Sequence, residues 1–166
     1  MIFFHLIHIV CMTAFSWLIG LVVNENIKKT FFREKLKHFS LIKSSRWEKL
    51  LGIKLFGKIL TSSTINYWDY QGKFKNGSKS YSLEELENDR FDLEIGHLIG
   101  FISLGLITLF NFFVGYGLSF IIWLSATNII FNFYPYLWHQ RNRIRVHKVI
   151  ESPEKQPTNS SIPDKE

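Results

Sequence analysis

Two stretches without charged side chains constrain the fold of this chain more than any other feature. Residues 2–23 and residues 95–138 contain no Asp, Glu, Lys or Arg. About 20 apolar residues cross a bilayer as a helix, so the first stretch is long enough for one span. The second is long enough for two shorter spans, with a turn predicted at 111–117 by Asn and Gly. We therefore predict an all-α membrane protein with three transmembrane helices, at about residues 2–23, 95–111 and 118–138.

The first apolar stretch has two interpretations, a cleaved signal peptide and a retained membrane anchor. No Lys or Arg precedes it, its apolar core has the length of a full span, and no small-residue cleavage pattern precedes Asn24. These features favour a retained anchor. The single cysteine, Cys11, lies inside this stretch, which leaves no framework for disulfides and no cysteine-based metal site.

Basic residues beside the apolar stretches predict the orientation in the membrane. Eight Lys or Arg residues lie within 24–49 and four within 141–148, whereas 111–117 has none. The positive-inside rule then places residues 24–94 and the C-terminus in the cytoplasm, and the N-terminus outside a cell membrane. The net charge of +6 is explained by this topology and by contact with anionic lipids. We expect no nucleic-acid partner, because the basic residues lie beside the spans and not on a separate module.

The segment between the first and second spans mixes a basic connector with one amphipathic helix. Residues 24–44 form the connector, and the pattern over 47–60 predicts a helix. One face of that helix carries Ile53, Phe56, Ile59 and Leu60, opposite Lys54 and Lys58. Such a helix fits the membrane interface, or equally a cover over the other cytoplasmic residues.

Polar segments lie within and after the predicted membrane domain of residues 1–150. Residues 61–81 are polar and contain an Asn76-Gly77 turn signal, which predicts a loop or small hairpin. Residues 151–166 are rich in Pro, Ser and charge, and predict a disordered tail. Ser82 followed by Glu85 is a capping-box pattern, so we expect a helix to start there and to continue into the second span.

Two polar helix faces meet at the predicted cytoplasmic boundary. On the helix of the second span, one face carries Glu87, Arg90, Glu94 and His97. On the third span, one face carries Asn128, Asn132, His139 and Asn142, and Pro135 on that face predicts a kink. Asn side chains in hydrocarbon need polar partners, so this second face should look at the other helices or at a polar cavity.

Glu94 and His97 are the residues best suited to acid–base chemistry. Their spacing puts a carboxylate and an imidazole on one helical face, where the carboxylate would orient the ring and raise its basicity. The non-catalytic alternative is that both are boundary residues whose side chains extend toward lipid headgroups. A metal site of the Glu-x-x-His type needs a second copy of the motif, which the chain lacks, so we expect none.

From about Trp47 to Lys148 the chain resembles the glycosyl-4,4'-diaponeurosporenoate acyltransferases of carotenoid biosynthesis. The family pattern begins with aromatic-Glu-Lys-x-x-Gly, matched here by residues 47–52. An acidic helix ending in Glu-x-x-His follows, matched by Glu94 and His97, with Asp89 where Glu is usual. The last motif, Gln-Arg-Tyr-Asn-Arg-x-Arg, falls on residues 139–145. Asn142, Arg143 and Arg145 match it, whereas its Gln, Arg and Tyr are not matched in this register.

The resemblance implies transfer of a fatty acyl group to a hydroxyl of a glycosylated carotenoid, without a cofactor. The implied partners are membrane lipids, the glycosylated acceptor and a fatty acyl donor. His97 is then the predicted general base, and Glu94 orients it. The predicted substrate-binding residues are Asn132, Asn142, Arg143 and Arg145, since amides can stabilise an oxyanion and Arg binds headgroups or donor phosphates.

Two alternatives stay open beside this activity. One is a non-catalytic membrane subunit whose Asn residues only pack helices together, and the other is an acyltransferase that acts on a different glycolipid. The enzyme hypothesis predicts that His97, Asn142 and Arg143 line one open cavity. The subunit hypothesis predicts that they do not.

Overall fold

The computed structural model describes residues 2–42, 44–62 and 82–152, and these residues are almost entirely helical. The helices are α1 (Ile2–Ile27), α2 (Phe32–Lys37), α3 (Ser45–Leu50), α4 (Ile53–Ser62), α5 (Leu83–Phe113), α6 (Leu118–Asn128) and α7 (Tyr134–Glu151). A π-helical turn, Ile129–Phe133, joins α6 directly to α7. Within the described ranges there is no strand. Most of the predicted loop at 61–81 and most of the predicted tail at 151–166 lie outside the described residues.

Three helices are long and apolar enough to span a membrane, as predicted: Phe4–Ile27, Leu83–Phe113 and Leu118–Glu151. Each runs beyond the uncharged stretch that predicted it. Residues 83–94 and 139–151 are helical although they are polar, because they pack against each other and against the connector between α1 and α3. Hydropathy marks the membrane-embedded part of a helix and not its full length.

Local signals set the two ends of α5. The Ser82 hydroxyl accepts a hydrogen bond from the Glu85 backbone N–H, and the Glu85 carboxylate accepts one from the Ser82 N–H, which confirms the capping box. At the other end the chain turns through Gly115, whose φ of 88° lies in the left-handed region that glycine favours. The predicted hairpin between the second and third spans is therefore present, and α5 and α6 are antiparallel neighbours.

The helices α1 and α5 approach each other through glycine. A Cβ built on Gly20 would lie 2.5 Å from the backbone oxygen of Gly96, so only glycine allows this separation. Farther along the bundle, Ile9, Leu104, Phe120 and Leu124 form a buried apolar cluster between α1, α5 and α6. These contacts hold the polar C-terminal end of α1 beside the polar N-terminal part of α5.

The amphipathic helix α4 packs against α7. Ile53 is buried with Tyr136 and Leu137, and Phe56 stacks on Tyr134 with ring centroids 5.0 Å apart. Ile59 and Leu55 stay exposed on the outer side of α4. The helix therefore covers part of the polar end of the bundle, and it also presents an apolar face outward, where the membrane interface would lie.

Candidate functional site

His97 lies on α5, one helical turn beyond Glu94, where the polar part of that helix meets the apolar part. Its ring stacks on that of His139 from α7, with centroids 5.5 Å apart and planes 9° apart. The Nδ1 atoms of both rings are buried, and neither has a hydrogen-bond partner among the described residues. Unpartnered ring nitrogens keep their capacity to exchange a proton with an entering group.

His97 lines a cavity of about 430 Å³ between α1 and α5, which we call the α1–α5 groove. Its apolar lining consists of Trp17, Leu21 and Leu93, which are exposed on the surface of α1 and α5. Its mouth is polar and is formed by Asn24, Glu25, Lys28, Asp89 and Asp92. This combination suits a ligand with an apolar chain and a polar end.

Ion pairs order the mouth of the groove. Asp92 lies 3.1 Å from the Lys28 ammonium and also pairs with Arg33. The pKa of Lys28 is raised above its usual value, chiefly by its hydrogen bond to Glu25 and further by Asp92. Lys28 is therefore charged at neutral pH, and Lys28 and Arg33 together pair with two of the three carboxylates that line the groove.

Glu94 does not hydrogen-bond to His97, so the predicted orienting contact is wrong. The carboxylate accepts hydrogen bonds from Arg143 Nε at 2.7 Å and Arg143 Nη2 at 3.3 Å, and from Gln140 Nε2 at 2.7 Å. Glu94 and Arg143 are both almost fully buried. A carboxylate removed from water is best stabilised by a forked guanidinium, and Arg143 on α7 can reach it.

Arg143 is a structural hub and does not reach the α1–α5 groove. Its Nη1 donates to the Lys37 carbonyl at 2.8 Å, and its Nη2 to the Phe39 carbonyl at 3.3 Å. The guanidinium also lies over the Phe91 ring. One edge of it lines a second cavity, of about 520 Å³, between the connector and α7. Arg143 thus holds the connector to the bundle.

Gln140 completes this hub, although sequence reasoning assigned it no role. Its side-chain oxygen accepts hydrogen bonds from the backbone N–H groups of Leu41 and Ile42, at 2.9 and 3.0 Å. Its amide nitrogen donates to Glu94 and, at 2.9 Å, to the Tyr136 hydroxyl. The amide is therefore fully used, and a buried Gln that is satisfied in this way fixes the connector in one position.

Arg145 lines a third cavity, of about 210 Å³, beside Arg141 and Lys148. Arg141 Nε donates to the Glu48 carboxylate at 2.9 Å, and its guanidinium lies over the Trp138 ring. Neither Arg145 nor Lys148 forms an ion pair with any side chain that the structure describes. These two cations are thus free to meet an anion from outside the protein.

The predicted Asn residues divide between packing and exposure. Asn132 is fully buried in the π-helical turn that precedes Pro135, where its side-chain oxygen accepts a hydrogen bond from Trp17 Nε1 at 3.0 Å. Its amide nitrogen donates to Asn128, which in turn donates to the Phe101 carbonyl. This face looks at the other helices, as predicted. Asn142 is half-buried and has no hydrogen-bond partner within the described ranges.

His97, Asn142 and Arg143 do not occur together in any of the three cavities described above, contrary to the expectation from the enzyme hypothesis. His97 lines the α1–α5 groove, Arg143 lines the cavity behind the connector, and Asn142 lines none of these three cavities. The residues nevertheless belong to one assembly. Glu94 is bonded to Arg143 on one side of α5, and His97 faces His139 one turn further along.

Three sequence motifs that are distant in the chain meet in this assembly. Glu48, from the motif at 47–52, pairs with Arg141. Glu94, from the Glu-x-x-His motif, pairs with Arg143. Both arginines belong to residues 139–145, so two ion pairs connect all three motifs. The motifs thus define one structural unit at the polar end of the bundle.

Sequence reasoning missed the residues that complete the site from other helices. His139 carried a signal, since it lies on the polar face of the third span, but nothing local pairs it with His97. Asn24 and Lys28 follow the first apolar stretch, where they resembled ordinary boundary residues. No group of three or more His, Cys, Asp or Glu side chains within the described ranges is arranged to hold a metal ion.

Comparison with known proteins identifies the family. A family model described as glycosyl-4,4'-diaponeurosporenoate acyltransferase (CrtO) matches residues 28–152. Neither the curated proteins nor the solved structures yield a significant match. The matched residues include Glu48, Glu94, His97 and both paired arginines, and they cover most of the chain. The chain therefore belongs to the glycosyl-4,4'-diaponeurosporenoate acyltransferase family.

Proposed function

We propose that this protein transfers a fatty acyl group to a sugar hydroxyl of a glycosylated carotenoid, with His97 as general base. The observation that carries the proposal is the position of His97, which lines a groove with apolar walls and a polar mouth. The family supports the class of reaction. Both reactants are lipids, and three apolar helices provide the surface along which lipids would enter.

The proposed reaction is a direct transfer of the acyl group from donor to acceptor, without an acyl-enzyme intermediate. A sugar hydroxyl is a poor nucleophile, so a ring nitrogen of His97 takes its proton as the oxygen attacks the acyl carbonyl. The attack forms the new C–O bond and a tetrahedral oxyanion, and the collapse of this oxyanion breaks the bond between the acyl carbon and the donor's leaving group. The imidazolium then returns the proton to that leaving group. His139, stacked beneath the ring, holds its plane.

Glu94 acts in this proposal through Arg143 and Gln140, and not by direct contact with His97. The hub fixes α5 against α7, so it sets the distance between the two histidine rings. Asn132 also acts indirectly, because its side chain holds the Trp17 indole that lines the groove. Both are positioning residues, since neither touches the groove's contents.

We assign the anionic part of the acyl donor to the basic end of α7. Arg145 and Lys148 have no ion-pair partner among the described residues, and Arg141 lies beside them. Guanidinium groups bind phosphate oxygens in a forked geometry. Asn142 lies about one helical turn before Arg145 and has no hydrogen-bond partner in the described ranges. We assign it as the donor of a hydrogen bond to the oxyanion.

The proposed site lies on the cytoplasmic side of the cell membrane. Basic residues are concentrated in the connector that follows α1 and in residues 141–148 of α7, and the hairpin at 111–117 holds none. The positive-inside rule therefore supports an outside N-terminus and a cytoplasmic C-terminus.

Lipid extraction tests the proposed activity directly. The chain is expressed in a host that makes the glycosylated carotenoid, and total pigment is compared with that of the same host carrying an empty vector. We expect the protein to convert the glycoside into a less polar pigment whose mass has increased by one fatty acyl group. If a different glycolipid is acylated and the carotenoid is untouched, the acceptor assignment is wrong.

A non-catalytic membrane subunit is the second candidate. The separation of His97 and Arg143 into different cavities favours it, as does the amount of polar packing around Glu94 and Asn132. Acyl transfer by the purified chain alone in lipid nanodiscs would rule this candidate out. Transfer that requires a second protein would support it.

A further inference from the structure

Packing on α7 fixes which way round the helix α4 lies. Ile53 and Gly57 are buried, and a Cβ added to Gly57 would overlap the Trp138 ring. Leu55 and Ile59 lie on the opposite side of the helix from these two residues. Their exposed fractions are 65% and 60%. The helix therefore has a second apolar face, which is directed away from the bundle and which we call the outer face of α4.

Lysines border the outer face of α4 along one side. Lys54 and Lys58 are exposed and lie one helical turn apart, between Leu55 and Gly57 around the helix. The helix contains no acidic residue, and Lys54 forms no ion pair within the described ranges. An apolar face bordered by lysines is typical of helices that lie in the interface of a bilayer, where the ammonium groups reach the headgroups.

The position of α4 along the bundle is that of the boundary between membrane and water. Phe56 stacks on Tyr134, and Gly57 lies against Trp138. Trp138 is the last residue before the polar end of the third span, and Arg141 is the first charged residue after it. Tyr and Trp are enriched at this level of membrane proteins. Exposed side chains of α4 therefore lie where acyl chains give way to headgroups.

The preceding helix α3 adds positive charge to the same surface. Arg46 and Lys49 are exposed and form no ion pair with a side chain that the structure describes. The acidic residue of α3, Glu48, is paired with Arg141 of α7. The two helices together carry four basic residues and one acidic residue, so their surface is net positive. This charge is complementary to that of anionic phospholipids.

We propose that α4 anchors this surface to the bilayer: its outer face inserts into the leaflet at this end of the bundle, and its lysines bind anionic phospholipid headgroups there. The partner is the chain's own membrane and not a second protein. Leu55 and Ile59 then leave water, and Lys54 stays at the level of the phosphates. The membrane thus holds α4 from outside while α7 holds it from inside. The inference does not depend on the proposed function, because anchoring requires no acyl transfer.

Fluorescence quenching at single cysteines tests where the outer face lies. In a Cys11→Ser background, Leu55→Cys of the full chain carries a bimane label in nanodiscs that contain about one third phosphatidylglycerol. One quencher is a nitroxide attached to the lipid acyl chain near the headgroup, and the other is iodide in the water. We expect the ratio of nitroxide to iodide quenching at Leu55→Cys to exceed that at Glu84→Cys by about threefold or more.

Two positions on α5 provide the reference environments. Ile102 is exposed in the apolar part of α5, so Ile102→Cys reports contact with acyl chains. Glu84 is exposed at the polar start of α5, so Glu84→Cys reports contact with water. Quenching of Leu55→Cys mainly by iodide, as at Glu84→Cys, would overturn the proposal. A label protected from both quenchers would show that a second protein or a second copy covers the face, and this result would overturn the proposal as well.

Hydrogen exchange tests the contribution of lipid charge. We expect the backbone amides of α4 to exchange about threefold more slowly with phosphatidylglycerol present than in phosphatidylcholine alone, because anionic headgroups hold the lysines. Lys54→Gln should remove about half of this difference or more. Lys35→Gln is the matched control, since it removes one exposed charge from α2 and should leave the difference unchanged. Equal effects of the two substitutions, or equal exchange of the unaltered chain in both lipids, would contradict binding of anionic lipid by α4.

Discussion

The Glu94 carboxylate and the Arg143 guanidinium form a buried, forked ion pair between α5 and α7, with Nε 2.7 Å from one carboxylate oxygen and Nη2 3.3 Å from the other. The same guanidinium donates to two carbonyls of the connector, those of Lys37 and Phe39. One side chain therefore holds three parts of the protein together. This is why the pair belongs to the architecture of the site and not to its reacting groups.

The first prediction concerns the energy of this pair. Removing one partner strands a buried charge, so Arg143→Met should lower the free energy of unfolding by about 3–5 kcal/mol. Arg143→Lys should also destabilise the chain, because one ammonium does not replace a forked contact. The double variant Glu94→Leu/Arg143→Met should lose less than the sum of the single losses. Denaturant titration of the chain in bicelles measures all of them, and strict additivity would contradict a direct pair.

Gln140 should control the position of the connector. Gln140→Leu removes the acceptor of the Leu41 and Ile42 backbone N–H groups, which then exchange with solvent. We expect hydrogen exchange at these two amides to accelerate by about tenfold or more. The net contribution of a hydrogen bond to stability is about 1 kcal/mol, and a buried N–H left without an acceptor costs more. Asn142→Leu is the control, since its amide bonds to none of the described residues. Unchanged protection in Gln140→Leu would exclude this role.

The close contact of α1 and α5 makes two glycines respond differently to the same change. An added Cβ on Gly20 would lie 2.5 Å from the Gly96 backbone oxygen, whereas one on Gly96 would meet nothing within 4 Å. We therefore expect Gly20→Ala to cost about 1–3 kcal/mol, as overpacking does. Gly96→Ala should be neutral or slightly stabilising, because alanine favours helix. Thermal unfolding in detergent compares them, and equal melting temperatures would contradict the close approach of the two helices at Gly20.

The proposed orientation is open to cysteine labelling. In a Cys11→Ser background, Lys54→Cys should react only after the cells are permeabilised, because α4 is proposed to be cytoplasmic. Val114→Cys, at the exposed tip of the hairpin, should react with an impermeant maleimide in intact cells. Labelling of both variants in permeabilised cells controls for any difference in the reactivity of the two thiols. Labelling of Lys54→Cys from outside would reverse the orientation and move the site to the other side of the membrane.

The sequence predicted those parts of the structure that depend on local or repeated signals. The three spans follow from long uncharged stretches, the start of α5 from Ser82 and Glu85, and the turn between α5 and α6 from glycine. These features could be predicted because each depends on residues close together in the chain. The length of α7 could not, because its polar half is stabilised by packing on α5 and on the connector.

The partners within the site could not be predicted for a related reason. Glu94 and His97 share a helical face, and proximity in sequence suggested that they bond to each other. Arg143 offers the carboxylate two donors and a full charge, so the contact over the larger sequence separation is formed instead. The stacking of His139 on His97 likewise depends on the angle between two helices, which periodicity alone does not give.

His97 is the residue on which the proposed activity depends most. It lines the α1–α5 groove, and its Nδ1 has no bonded partner within the described ranges. Glu94→Gln should reduce acyl transfer less than loss of His97 does, because the hub that Glu94 completes only positions the histidine. His5, near the other end of α1 beside Phe120, provides a control imidazole outside the site.

The most direct test is the rate of ester formation by purified His97→Ala in nanodiscs, compared with the unaltered chain and with His5→Ala. Loss of general-base catalysis should lower the rate by about 10² to 10⁴ while expression and membrane insertion stay normal. His5→Ala should retain the full rate. Near-normal ester formation by a well-folded His97→Ala chain would contradict the assignment of His97 as the base.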